Sequence, residues 1–298
     1  SVIAIPDADQ TPEALCGLTD GVPAASQYAR RLAENGCLVL VPTLVSREQQ
    51  ARRGRATLTH REYLYRSAFE LGRHLIGYEV QRVLAGVDWF AKDAGPGGAK
   101  IGVMGWGEGG LLALYAGALD SRIGAVSVSG YFDSRQNVWQ EPIDRNVFGL
   151  LEQFGDAELA SLIAPRRLVV EACRGPELEL PSKGGAPARL VTPNLATVQA
   201  EVARAKELAR IEIDLVAVEG GAGPSGSDQT LARLLPAVGM EAPVTTAGQP
   251  PKHLRSSFDP AVRQARQIQE IDDHNQWLLL ESSYVRSEFM KKLDTTSP

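Results

Sequence analysis

The residues best placed to do chemistry in this 298-residue chain fall in one stretch, Lys100–Leu112, which reads KIGVMGWGEGGLL. An apolar run gives way to a Gly-dense turn and then to a helix-forming segment. That is the layout of the sharp strand-to-helix turn that lifts a nucleophile clear of the backbone. Such a turn has the form small-x-nucleophile-x-small, because strained backbones pack closely on either side of the nucleophile. Gly105-Trp106-Gly107-Glu108-Gly109 matches the frame, and its nucleophile position is Gly107, which has no side chain to attack with. Glu108 follows it. Carboxylates act as nucleophiles in some enzymes. They also settle at helix starts, where free N–H groups and the helix dipole favour negative charge. Both readings of Glu108 stay open.

A reaction at this turn needs donors for a developing oxyanion. The donors would be the N–H of Glu108 and an N–H from the turn after the first apolar run, Val2–Ile5. That turn is Pro6-Asp7-Ala8-Asp9, and its carboxylates would raise the energy of an oxyanion. Asp7, Asp9 and Glu108 would instead converge with Glu177 on one acidic pocket at the C-terminal ends of the strands, where open parallel sheets bind ligands. Such a cluster suits a sugar's hydroxyls, a basic group or a hard cation. Alternatively, Asp7 and Asp9 are turn-formers and caps, Asp9 standing before Thr11-Pro12-Glu13. Trp106 stands beside the turn as a further ligand contact. Arg145 and Asn146, within Glu141–Gly149, would hold a ligand carboxylate or hydroxyl; the other reading is a buried ion pair pinning a loop.

Other constellations are thin. The histidines are His60, His74, His253 and His274, with no helical pair flanking an acid, so no zinc motif is present. His60 reads as a surface residue, and only His253 follows the last apolar run closely. Cys16, Cys37 and Cys173 lack metal-ligand spacing, and the last two sit in apolar runs as small buried hydrophobes. Gly105-x-Gly107-x-x-Gly110 fits a dinucleotide fingerprint, but no acid follows about 20 residues on. No metal and no cofactor are expected.

The elements that would position these residues alternate. Strand-length apolar runs cover Val2–Ile5, Cys37–Val41, Lys100–Met104, Gly124–Ser129, Arg167–Cys173 and Ile211–Val218. Helical patterns cover Ala24–Glu34, Glu62–Lys92, Gly109–Leu119, Asp156–Ile163, Thr197–Leu208 and Asp228–Ala237. Alternation of this kind argues for βαβ units and a parallel sheet covered on both faces. The arginine-rich stretch Arg47–Arg66 reads as a solvated surface excursion, and Gly175–Thr192 as a loop. The domain spans residues 1–240, a Pro/Gly linker 241–258, and a helical extension 259–298. In that extension Pro260–Lys292 reads as one long helix with Ile268, Ile271, Trp277, Leu280 and Tyr284 as its apolar stripe. Hydrophobic residues are 44%, charged residues 22% and the net charge −5. These values exclude fibrous and wholly disordered chains and give no electrostatic footprint for nucleic acid. No apolar run reaches the ~18–20 residues of a membrane span. The chain opens on Ser1 and at once on an apolar run, which reads as a trimmed domain.

Several stretches resemble the α/β-hydrolase superfamily, specifically its dienelactone hydrolase and acetyl xylan esterase-like branch. The likeness rests on the Gly105–Gly109 frame, on ARRLAENGCLVLVP at Ala29–Pro42, on the helix Leu75–Phe90 before the turn, and on LIAPRRLV at Leu162–Val169. It covers roughly residues 1–240. It implies a three-layer α/β-hydrolase fold with a mostly parallel sheet, whose initial antiparallel strands would lie upstream of residue 1. It also implies a small ester or carbohydrate ligand, and it is compatible with an exported or periplasmic location. Such hydrolases need a nucleophile, an acid and a histidine in that order. Here Gly107 replaces the nucleophile, Glu177 is available as the acid, and Glu219–Ser225 follows the last strand without a histidine. Two function classes follow. One is a degenerate hydrolase, a non-catalytic ligand-binding or scaffold domain beside a neighbouring domain of the same polypeptide. The other is an ester hydrolase using Glu108 with supporting acids, with or without a metal, in place of serine.

Overall fold

The structure, a computed structural model, describes residues 1–52, 54–92, 98, 100–210, 212–240, 244, 248–255 and 257–293. The first element is β1 (Val2–Ile5), followed by a short α1 (Pro12–Leu15) and α2 (Tyr28–Glu34). Next come β2 (Val39–Leu40), an antiparallel hairpin of β3 (Gln49–Arg52) and β4 (Ala56–Thr59), α3 (His60–Phe69) and α4 (Leu75–Lys92). The centre holds β5 (Ile101–Trp106), α5 (Glu108–Leu119), β6 (Ile123–Ser129), α6 (Asp156–Ile163) and β7 (Arg167–Ala172). A second hairpin, β8 (Leu178–Leu180) with β9 (Ala188–Leu190), precedes α7 (Leu195–Ala209), β10 (Asp214–Ala217), α8 (Asp228–Leu234) and the long α9 (Pro260–Met290).

Among the described residues, six strands form one sheet in the order β10-β7-β6-β5-β1-β2, every pairing parallel. The period-2 geometry of a strand divides β1 between two cores. Ile3 and Ile5 enter the cluster built with α4, α5, α6 and α7. Val2 and Ala4 enter the cluster built with α1, α2 and α8. The layers are therefore helix, sheet, helix, as expected. Each large side chain buried this way stabilises the fold by about 1.5–3 kcal/mol relative to exposure. α5 is apolar around nearly its whole circumference, which suits a helix buried behind the centre of the sheet.

Four expectations change. Glu62–Lys92 is two helices, because Glu70–His74 breaks the pattern between Phe69 and Leu75. Gly175–Thr192 is not merely a loop, since it carries the β8–β9 hairpin. The arginine-rich stretch is not a solvated excursion: it forms β3, β4 and the start of α3, with Arg47 and Arg61 buried. Its tip meets the other hairpin where the Thr57 N–H donates to the Lys183 carbonyl at 2.9 Å. Finally, α9 buries Gln267, Ile271 and Asn275, while Trp277, Leu280 and Tyr284 of the expected stripe face solvent. Polar contacts hold α9, among them the Tyr78 hydroxyl donating to Asn275 Oδ1 at 2.7 Å and Arg263 paired with Glu13 at 2.8 Å. Of the linker expected at 241–258, residues 241–243, 245–247 and 256 lie outside the described residues. No described helix is long and apolar enough to cross a membrane.

Candidate functional site

β5 delivers the chain to Gly107 at the C-terminal edge of the sheet, and α5 leaves from Glu108. Gly107 takes φ +58° and ψ −116°, the strained turn that the frame requires. The flanking glycines are needed sterically. A Cβ on Gly105 would lie 2.0 Å from the Gly109 carbonyl oxygen, and one on Gly109 would lie 2.1 Å from that of Ile5. The strained backbone is thus at Gly107, between two glycines that admit no side chain.

The space a nucleophile would occupy is filled. A Cβ built on Gly107 would come within 2.6 Å of Asp7 Oδ1 and 2.8 Å of Pro176 Cγ. Asp7 arrives from the turn after β1. Its Oδ1 accepts the Glu108 N–H at 2.8 Å, the donor an oxyanion would use. Pro176 arrives from the loop after β7, where such folds carry the acid. That loop is strapped down by three bonds. The Arg174 N–H donates to the Gly223 carbonyl, the Trp106 indole N–H donates to the Arg174 carbonyl at 2.7 Å, and the Gly175 N–H donates to Thr192.

Glu108 is 0% exposed and its two oxygens are engaged by three guanidiniums. Arg61 Nη2 donates to Oε1 at 3.0 Å; Arg47 Nη2 at 2.9 Å and Arg145 Nε at 2.8 Å donate to Oε2. Burial alone would push its pKa up, but Arg145, Arg61 and Arg47 together hold it far below the usual carboxylate range. Arg61 is itself fully engaged. It makes a bidentate pair with Glu79 at 2.9 Å, reaches Asp144 Oδ2 at 2.6 Å, and donates to the Val45 carbonyl. Arg47 pairs with Asp7 at 2.6 Å and Asp9 at 3.0 Å. Asp7 is pressed upward by burial and brought below its ordinary value by Arg47.

The expected acidic pocket therefore forms differently. Asp7, Asp9 and Glu108 do meet, but around Arg47 rather than around a vacant space. Glu177 does not join them; it is exposed and accepts the Thr192 hydroxyl at 2.6 Å. Arg145 belongs to the network, whereas Asn146 is exposed beside it. The Glu108 side chain does not cap a helix; it pins arginines, and it is the Glu108 N–H that Asp7 caps. The cap of α1 is Thr11, not Asp9. Trp106 is half-buried and walls a cleft of about 350 Å³ with Gln10, Arg174, Glu219 and Ser225. Pro176 also lines a cavity of about 240 Å³ whose wall includes Arg145. No described histidine bonds to the turn. His60 is 9% exposed, so it is buried rather than a surface residue, and pairs with Arg52, while His74 accepts the Phe148 N–H. Among the described residues no group of His, Cys, Asp and Glu could hold a metal.

Sequence reasoning missed Arg47 and Arg61 as partners of Glu108, Glu79 and Asp144 as partners of Arg61, and Pro176 as the residue over the turn. It also missed Glu171 in β7, whose buried carboxylate accepts the Gly226 and Ser227 N–H groups and the Thr230 hydroxyl. Glu79 alone left a signal, an acid on the apolar face of a helix.

Residues 13–149 match the family model of the dienelactone hydrolase family. Several solved structures are similar to the chain at low identity. A Bacteroides fragilis protein named as an acetyl xylan esterase is 14% identical, with TM-score 0.49, over 90% of this chain and 71% of its own. A methylesterase is 18% identical, with TM-score 0.47, over 83% of this chain and 52% of its own. A promiscuous CE15 esterase from a marine bacterial metagenome is 12% identical, with TM-score 0.46, over 74% of this chain and 69% of its own. No curated protein matches the chain. The chain is similar to the dienelactone hydrolase branch of the α/β-hydrolases, as its sequence motifs indicated.

Proposed function

We propose that this esterase-like α/β-hydrolase chain is a non-catalytic domain, binding a small ester or carbohydrate ligand at the C-terminal ends of its strands without hydrolysing it. A scaffold role beside a neighbouring domain of the same polypeptide is part of the same proposal. The observation that carries it is the double occupation of the turn. Asp7 stands on the Glu108 N–H at 2.8 Å, and Asp7 and Pro176 fill the volume above Gly107. Acyl transfer needs a nucleophile and a vacant donor at that place. A carboxylate also opposes a developing oxyanion there. The competing reading, ester hydrolysis by Glu108, requires that carboxylate to leave three arginines and reach a substrate from a site with no exposure.

The test is p-nitrophenyl acetate hydrolysis by the purified chain beside its Glu108→Gln variant. The expected result is release no faster than in buffer. Turnover by the parent chain that rises in proportion to its concentration overturns the proposal. Loss of that turnover in a folded Glu108→Gln protein would assign it to the carboxylate.

A further inference from the structure

The α9 helix turns polar residues inward and apolar residues outward. Toward the domain it buries Gln267 and Asn275 beside Ile271. Polar bonds hold that side in place. Gln267 Nε2 donates to the Thr43 carbonyl at 3.2 Å, the Tyr63 hydroxyl to Asp272 at 3.2 Å, and Asn275 Nδ2 to the Ser67 hydroxyl at 3.0 Å. Trp277, Leu280 and Tyr284 are instead exposed by 56%, 76% and 66%. Residues at this spacing share one helix face. At about 100° per residue, that face lies nearly opposite Ile271 and Asn275. No residue from Leu279 to Leu293 is buried. An apolar stripe turned away from its own domain calls for a partner.

The charges along the same face identify that partner. Trp277, Leu280 and Tyr284 follow the heptad spacing of a coiled coil. Extending the heptad toward the N-terminus reaches Asp273, and extending it toward the C-terminus reaches Lys291, both exposed. A stripe with an acid at one end and a base at the other is complementary to itself when two copies run antiparallel. Aligned about Ser282, Leu280 of one copy opposes Tyr284 of the other, Trp277 opposes Ser287, and Asp273 opposes Lys291. Two-fold symmetry repeats each of these contacts. A parallel pair would set Asp273 against Asp273 and Lys291 against Lys291. Within one chain, Asp273 accepts from Gln269 at 2.7 Å and Lys291 meets Glu288, but both contacts are exposed and compete weakly. Glu281 flanks the symmetry axis and repels its copy, which works against the pair.

We infer that this chain pairs with a second copy of itself through an antiparallel α9–α9 contact, with Trp277, Leu280 and Tyr284 at its centre and Asp273–Lys291 pairs at its two ends. Aromatic side chains at the centre of an interface supply much of its binding energy. The inference goes beyond the proposed function and does not depend on it, because no residue of the contact takes part at the Gly107 turn.

The experiment is sedimentation velocity of the full chain at micromolar concentrations. The samples are the parent, Leu280→Glu, Asp273→Lys, Lys291→Asp, and an equal mixture of the last two. The parent sediments as a dimer. Leu280→Glu weakens the dimer by about tenfold or more, since it sets like charges in the apolar centre. Each charge reversal alone also weakens it, because like charges then meet at both ends. In the mixture the two reversed chains pair with each other about as tightly as the parent does, because each new charge meets its opposite. A monomeric parent overturns the inference, and so does a dimer that Leu280→Glu leaves intact. A mixture that pairs no better than either variant alone overturns it too, since only the antiparallel register makes the two reversals complementary. The replaced side chains are exposed, and unchanged far-UV circular dichroism separates lost pairing from lost folding.

Discussion

Two buried carboxylates stand at the first positions of α5 and α6, and the protein treats them in opposite ways. Glu108 and Asp156 are both 0% exposed, and both sit where a helix start favours negative charge. Glu108 meets three guanidiniums within 3.0 Å and is held strongly ionised. Asp156 meets one, Arg135 at 3.6 Å, with the Asp133 N–H at 3.2 Å and the Tyr131 hydroxyl at 3.4 Å. Burial dominates there, and its pKa is pushed up to about 7. Burial by itself does not set the charge of an acid. The number and distance of its cationic partners decide, because desolvation penalises both groups alike.

Removing the stronger member gives the largest effect. Glu108→Gln leaves Arg47, Arg61 and Arg145 around a neutral amide. The expected loss is about 3–5 kcal/mol, read from the midpoint of urea unfolding. A loss under about 1 kcal/mol would mean that the arginines find other partners and that the network is not built on Glu108.

Next comes Gly107→Ala, which probes the plug that Asp7 makes over the same helix start. A Cβ would lie 2.6 Å from Asp7 Oδ1, at a φ of +58° that side chains rarely adopt. Overpacking and strain together predict a loss of about 1–3 kcal/mol. An unchanged melting temperature would show that the space above the turn is free and would remove the main support for the non-catalytic reading.

Asp156→Asn tests the weaker member through pH. The folded pKa of Asp156 is raised, so the folded state holds the proton more tightly than the unfolded chain does. Its contribution is therefore most favourable below the ordinary value of 3.8 and is lost as pH rises to about 7. Relative to Asp156→Asn, the parent should lose stability steadily across that window and change little above it. Glu108 has the opposite sign: its stabilisation is present above the ordinary 4.5 and is lost only as pH falls below it. Parallel profiles for parent and Asp156→Asn would place Asp156 among the ionised groups and dissolve the contrast. Arg263→Ala sets the lower end of the scale. Its pair with Glu13 is part-exposed, 21% on the arginine side, so the cost should stay within about 1 kcal/mol and shrink in salt.

Much of the fold was legible in the sequence because its signals are local. The continuous apolar runs of β1, β5, β6 and β7 are what a doubly covered parallel strand requires. The glycines at 105, 107 and 109 marked the turn, since only glycine fits the backbone approaches found there. Arg47 and Arg61 were misread for the converse reason. Their neighbours in sequence are other arginines and polar residues, which look solvated, while their partners lie far along the chain. Arg47 is 61 residues from Glu108, Arg61 is 47, and Arg145 is 37. The α9 stripe held at Ile268 and Ile271 and failed beyond them, because a helical period says that a face is apolar, not that something covers it.

The sequence by itself determined the six strands of the central sheet, most of the helices around them and the glycine turn at Gly107, since each depends on a residue and its immediate neighbours. Only the tertiary structure decided that Asp7 accepts the Glu108 N–H, that Pro176 packs over Gly107, and that Glu177 stays apart. It also decided that Arg47 and Arg61 of the Arg47–Arg66 stretch are neutralised in the interior by Asp7, Glu79, Glu108 and Asp144. These are outcomes of distance and desolvation between elements tens of residues apart, and no local pattern encodes either quantity.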